Sequence, residues 1–162
     1  MKIVGIGDLL IPATYIKEGF QKFEAEGNEV STINWDLQDY EELQSINLKV
    51  ELGGSEAYEP PEAILEAVKD ADIIITQFCP ITKRVIDVCK NLKVIGVLRG
   101  GYENVNVEYA TKKNILVCNT SGRNSNAVAD FTVGMLIAEC RNIAKAHKNL
   151  KEGQWVRDYD NK

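Results

Sequence analysis

The chain has 162 residues, 44% of them apolar and 27% charged, a balance that belongs to folded globular proteins and excludes disordered, collagenous and fibrous classes. At roughly 150 residues a chain buries about 70% of the surface its unfolded form exposes, so neither disulfides nor a structural metal is needed to make a core. With 24 acidic residues against 19 basic ones and a net charge of −5, nonspecific attraction to nucleic acid or to anionic membranes is not expected.

No apolar run approaches the roughly 20 residues of a bilayer-spanning helix, and Met1-Lys2-Ile3-Val4-Gly5 lacks the architecture of a signal peptide. No membrane association and a cytoplasmic location are therefore the expectation. Cys79, Cys89, Cys118 and Cys140 are widely spaced with no C-x-x-C pair, and are read as reduced, mostly buried thiols. His147, the single histidine, lies in a lysine-rich stretch with no cluster of metal-ligating side chains around it, so it is read as a surface residue and no metal site is expected.

Lys2 to Ile6 is a β-branched run read as a strand, and Pro12 precedes an amphipathic helix with Tyr15, Ile16, Phe20 and Phe23 on one face. Gly27-Asn28 closes that helix before a second strand, Glu29 to Ile33. Residues from about Leu37 to Leu52, with Tyr40, Leu43, Leu48 and Leu52 among acids, read as a helical segment stopped by Gly53-Gly54. Pro60-Pro61 marks the start of a helix whose apolar face is Ile64, Leu65 and Val68, and Asp72 to Thr76 follows as a buried strand.

After Phe78-Cys79-Pro80 come a helix with Val85, Ile86 and Val88, the strand Lys93 to Leu98, a Gly100-Gly101 turn, a short helix from Val107 to Lys112, and the strand Ile115 to Cys118. Five strands separated by helices predict an α/β fold with an open parallel sheet covered on both faces. The last element is read as one helix from about Asn126 to Leu150, apolar nearly all round between Ala127 and Cys140 and broken only by Asp130, Thr132 and Glu139. A helix of that kind needs cover, either from another domain or from another copy of the chain.

Three loops carry candidate chemistry. Gly5-Ile6-Gly7 opens like a dinucleotide fingerprint, but Leu10 stands in place of its third glycine and Pro12 lengthens the loop, so a plain sheet-edge turn is the expectation. Arg99-Gly100-Gly101-Tyr102 sits at the carboxyl end of the fourth strand, where open α/β sheets place ligands; adjacent glycines and an arginine suit a carboxylate, and a bare turn is the alternative. Gly122-Arg123-Asn124-Ser125-Asn126 is a polar loop in which Ser125 or Asn126 is read as the N-cap of the last helix.

Leu92-Lys93-Val94-Ile95-Gly96, Gly100-Gly101-Tyr102-Glu103-Asn104-Val105-Asn106, Ala110, Asn114 to Asn119, and Gly122 to Asp130 follow in an order that resembles the D-isomer-specific 2-hydroxyacid dehydrogenases. Gly153-Gln154-Trp155 also resembles the family's G-x-W. Departures are local: Arg99-Gly100-Gly101 for the commoner G-x-G, Asn106 for aspartate, Ser121 for proline and Asp130 for glutamate.

The resemblance implies a flavodoxin-like substrate-binding domain over residues 1–120, then an interdomain loop, the long helix and the start of a dinucleotide-binding domain over 121–162. It implies hydride transfer between NAD and a small 2-hydroxy or 2-oxo acid, with the cofactor fingerprint and the catalytic arginine, glutamate and histidine downstream of Lys162. The fragment alone is then expected to be inactive, with no catalytic residue of its own. Substrate contacts carried over are Gly100 and Gly101, whose backbone amides hold the carboxylate in relatives, Arg123, at a variable cleft position where it would favour a second anionic group, and the turn with Phe78 and Cys79, for which core packing is the equal alternative; Arg99 joins them by its charge beside the glycines. In phosphoglycerate dehydrogenases the turn before Phe78 carries a phosphate-binding arginine; Thr76 occupies that place here, with Lys83, Arg84 or Arg99 as substitutes. A homodimer or helix-exchanged oligomer through residues 126–150 is the expected assembly. The alternative reading is a non-catalytic flavodoxin-like binding or dimerisation module.

Overall fold

The computed structural model describes residues 1–159, which fall into two compact units, Met1–Ser121 and Gly122 onward. In the first unit the strands β1 (Lys2–Gly7), β2 (Glu29–Asn34), β3 (Ile73–Thr76), β4 (Val94–Val97) and β5 (Leu116–Asn119) alternate with helices. These are α1 (Ala13–Gly19), α2 (Gln21–Ala25), α3 (Tyr40–Gly53), α4 (Glu62–Val68), α5 (Lys83–Val88) and α6 (Val107–Lys112). All ladders are parallel and the strand order is β2-β1-β3-β4-β5, the order of flavodoxin-like sheets. The chain reverses direction across the sheet between β1 and β3, and the carboxyl ends of these strands and of β4 line one edge.

Alternation along each strand divides the core in two. Val4, Ile6, Ile74, Ile95 and Val97 face a large cluster built with Leu43, Ile46 and Val50 of α3, Ile64, Leu65 and Val68 of α4, Val85 and Ile86 of α5, and Ala110 of α6. Ile3, Val30 and Ile75 face the other side, where α1 contributes Ile16 and where Phe20 and Leu98 pack at the margin. Helices thus cover both faces. Gly5 is required there, because a Cβ on it would strike Ile16, and β1 and α1 could not approach as they do.

Two helices differ from the sequence-based expectation. The amphipathic stretch with Tyr15, Ile16, Phe20 and Phe23 is broken at Phe20, whose N–H is shared between the carbonyls of Ile16 and Lys17, and only Ile16 of the four is buried. Gly19, a poor helix former, sits at that break. In α3 the buried face is Leu43, Ile46 and Val50, at helical spacing, while Tyr40, Leu48 and Leu52 are exposed. Its N-cap is Asp39, which accepts from the Glu42 N–H at 2.8 Å, and its stop is Gly54 at φ 77°.

The second unit corrects the expectation of one long helix over 126–150. The chain forms α7 (Ser125–Cys140) and α8 (Ile143–Lys151), separated by Asn142 in the left-handed region at φ 55°. Asparagine tolerates that conformation better than most side chains, and its presence ends α7 after 16 residues. The N-cap of α7 is Asn124 rather than Ser125 or Asn126; Ser125 Oγ instead donates to the Gly122 carbonyl at 2.9 Å. No residue of α7 is buried, and Phe131 and Leu136 are among its exposed apolar side chains. His147 is exposed on α8. No helix of the described residues is long and apolar enough to cross a membrane. The cysteines are all free, yet only Cys79 is fully buried: Cys89 is intermediate, and Cys118 and Cys140 are exposed, because β5 lies at the sheet edge and α7 lacks cover.

Candidate functional site

The turn after β4 is held by its carbonyls. Leu98 N–H still pairs with the Thr76 carbonyl at 2.8 Å; beyond it, Thr120 N–H donates to the Arg99 carbonyl at 3.1 Å, and Asn119 Nδ2 donates to the Gly100 carbonyl at 2.6 Å and to Ser121 Oγ at 3.2 Å. With those carbonyls pinned from β5, the N–H groups of Gly100 and Gly101 are left over: among the described residues neither makes a hydrogen bond. Gly100 borders open space, with no atom within 4 Å of where a Cβ would stand. Two adjacent unclaimed amides at the carboxyl end of a parallel strand are donors available to a carboxylate.

Asn104 fixes this turn against its neighbour. The side chain is fully buried and its Nδ2 donates to the carbonyls of Gln77 and Cys79 at 3.3 and 3.2 Å, joining the turn after β4 to the turn after β3. Ile81 and Val105 then bridge the two loops in parallel, with Ile81 N–H donating to the Asn104 carbonyl at 2.7 Å and Asn106 N–H to the Ile81 carbonyl at 3.0 Å. Nothing in the local sequence around Asn104 marks an amide that spans to carbonyls 25 and 27 residues away.

The remaining sequence-based candidates separate. Phe78 is half-buried and the Arg99 guanidinium lies 4.9 Å over its ring. Arg99 itself is engaged: its Nη1 donates to Asn47 Oδ1 at 3.0 Å, and its Nη2 to Glu51 Oε1 at 3.0 Å and Glu103 Oε2 at 3.3 Å. Asn47, Glu51 and Glu103 were not anticipated; Glu103 alone had a sequence signal, four residues beyond the arginine. Cys79 is 1% exposed, and burial foremost, with the charge of Asp8 behind it, pushes its thiol far above the ordinary range. Its side chain packs within the core, as the packing alternative has it. Thr76 is likewise fully buried and donates to the Cys79 carbonyl at 3.3 Å. Lys83 pairs with Asp87 at 2.5 Å and Arg84 with Glu62 at 2.7 Å. Arg123 is exposed in the second unit, in the loop leading to α7.

The first loop does not fit a dinucleotide. Asp8 Oδ1 accepts from the N–H groups of Leu10 and Ile11 at 2.8 and 2.9 Å, and Asp8 N–H donates to the Ile11 carbonyl, so donors that would cradle a pyrophosphate are consumed inside the turn. The space that Gly7 leaves is filled by the backbone of Pro12 and Ala13. Neither glycine of this loop leaves room for a phosphate.

With this geometry in place, the comparisons decide the family. The model of the family "D-isomer specific 2-hydroxyacid dehydrogenase, catalytic domain" matches residues 31–154, well over half of the chain. The chain belongs to this family. It is 41% identical over 97 residues to a D-3-phosphoglycerate dehydrogenase of Methanocaldococcus jannaschii, covering 59% of this chain and 18% of that one. It is 34% identical over 110 residues to a glyoxylate reductase of Pyrococcus furiosus, covering 67% of this chain and 33% of that one. Among solved structures it is similar to a 3-phosphoglycerate dehydrogenase of Entamoeba histolytica bound to NAD+, at TM-score 0.60 and 28% identity over 87% of this chain and 39% of that one. This member of the 2-hydroxyacid dehydrogenase family therefore spans a third or less of the length of those two curated relatives.

Proposed function

We propose that the chain supplies the substrate-binding part of an NAD-dependent oxidoreductase that moves a hydride between the cofactor and a small D-2-hydroxy or 2-oxo acid. The observation that carries this is the pair of unclaimed Gly100 and Gly101 amides at the carboxyl end of β4, within the stretch that the family matches. In this reading the amides receive the acid's carboxylate, Asn104 holds their turn against the loop after β3, and Phe78 shields one side. Residues 1–120 form the substrate-binding domain, and 121–162 lead into a dinucleotide-binding domain. Arg123, by its place in the family pattern, is the residue that would select the acid's side chain. NAD is the family's cofactor, and the first loop, with its Leu10 and Ile11 amides spent on Asp8, does not offer it a pyrophosphate cradle. Four free thiols accord with a reducing, cytoplasmic setting.

The test is a titration of the isolated, isotopically labelled chain with pyruvate and, separately, with NAD. Pyruvate shifts the Gly100 and Gly101 amide resonances, NAD leaves the β1 loop unmoved, and no NADH is oxidised with any 2-oxo acid. Absence of any pyruvate-dependent change at the two glycines, or turnover by the pure chain, overturns the reading.

A further inference from the structure

A recess of about 310 Å3 lies at the carboxyl ends of β1 and β2, with Asp8, Asn34, Trp35 and Asp36 as its polar lining and Leu9 and Leu37 among its apolar one. Hydrogen bonds between the two turns fix its walls: Trp35 N–H donates to the Gly7 carbonyl at 2.7 Å, and Ala13 N–H to Asn34 Oδ1 at 2.9 Å. The Trp35 ring is held from behind by Tyr58, with ring centroids 5.6 Å apart. Asp8 spends Oδ1 on its own turn, whereas its Oδ2 and the indole Nε1 of Trp35 are buried without a hydrogen-bond partner, in residues 4% and 2% exposed. Buried polar atoms are normally paired, so one acceptor and one donor at the same recess stand ready for a ligand that brings the complementary groups. Charge narrows the choice. Asp8 and Asp36 form no ion pair among the described residues, and no lysine or arginine lines the recess.

We propose that this recess binds a small protonated amine with a hydroxyl on the neighbouring carbon, an amino alcohol. The ammonium donates to Asp8 Oδ2 and is attracted by Asp36, the hydroxyl oxygen accepts from Trp35 Nε1, and the carbons lie against Leu9 and Leu37. A free amino acid is disfavoured, because its carboxylate enters beside two like charges. Walls already tied together by backbone hydrogen bonds lower the cost of ordering the site around so small a ligand. The amine site draws on β1 and β2 alone and does not depend on the reading of the Gly100–Gly101 turn.

The experiment titrates ethanolamine into the isotopically labelled chain at neutral pH and constant ionic strength, reading the indole N–H resonances of its two tryptophans. Trp35 moves and saturates, while Trp155, exposed in the second unit, stays in place. n-Propylamine, which keeps the ammonium and lacks the hydroxyl, binds several-fold more weakly. Asp8→Asn retains the oxygen that caps the turn and removes the charge, and it weakens ethanolamine by about tenfold or more. Asp36→Asn, at an exposed position, weakens it by about threefold. A wild type in which Trp35 does not move, or in which both indoles drift together without saturation, overturns the proposal. So does equal binding of ethanolamine and n-propylamine, which removes Trp35 Nε1 from the site. Wild-type affinity in Asp8→Asn overturns it as well; if that variant does not fold, wild-type affinity in Asp36→Asn does so alone.

Discussion

At the scale of single residues, Asn106 shows how a departure from the family pattern is absorbed. Its Oδ1 accepts from Tyr109 N–H at 3.0 Å and caps α6, while its Nδ2 donates to Glu56 Oε1 at 2.6 Å; the same oxygen accepts from Lys83 N–H at 2.8 Å at the start of α5. An aspartate at this position keeps the cap but sets two carboxylates against each other. Asn106→Asp is expected to destabilise the fold by about 1–2 kcal/mol in urea at pH 7, with Glu56→Gln in the same chain restoring most of it; full stability in the single variant would show that Glu56 turns away at no cost. Asp87 gives a pH dependence. Hydrogen bonds from Lys83 and from Tyr109 Oη hold its carboxyl down to about 2, against 3.8 when free. A depressed folded-state value contributes stability above the unfolded one, which is lost as pH falls from about 4 toward 2. Asp87→Asn should therefore lower the melting temperature at pH 6 and flatten its fall between pH 4 and 2; parallel curves would remove Asp87 from the acid transition.

Among elements, legibility followed how local the cause was. Central strands write themselves as short apolar, β-branched runs, and Ile73–Thr76 or Val94–Val97 needed no context to be seen. Adjacent glycines after such a strand were equally plain, so Gly100 and Gly101 stood out. The partners of Arg99 were not legible, because Asn47 and Glu51 lie on α3, 52 and 48 residues upstream, and no spacing in the chain records that meeting. The end of α7 was hidden for another reason: one asparagine in the left-handed region decides it, and composition on either side is helical. What the sequence did show of α7 is its want of cover. Phe131 is 70% and Leu136 65% exposed, and burying such side chains is worth about 1.5–3 kcal/mol each, so self-association through α7 is expected. Sedimentation of the wild type at rising concentration should reveal it, and Phe131→Asp with Leu136→Asp should abolish it while helical content stays constant. A wild type that remains monomeric throughout would assign the cover of α7 to something other than a second copy.

Across the first unit as a whole, the sheet is unevenly sealed, and the candidate site lies on its weaker side. β1, flanked by β2 and β3, is buried along nearly its whole length, β4 only at alternate positions, and β5 is an edge strand with Leu116 60% exposed. Opening of β5 frees Asn119 and Thr120, the two residues that pin the carbonyls of Gly100 and Arg99, so loss of that edge loosens the amide pair before the centre of the sheet is disturbed. Amide exchange should accordingly be slowest in β1 and β3 and fastest in β5. A ligand bound only to the closed turn stabilises it by RT ln(1 + [L]/Kd), about 2.7 kcal/mol at a hundredfold excess over Kd. That gain belongs first to the opening it prevents. Saturating pyruvate is therefore predicted to slow exchange in β4 and β5 by up to about a hundredfold while leaving β1 and β2 nearly unchanged. Uniform protection across the sheet would mean that β5 and the site open only with global unfolding; protection confined to β1 and β2 would place the acid at the other end of the strand order, away from Gly100 and Gly101.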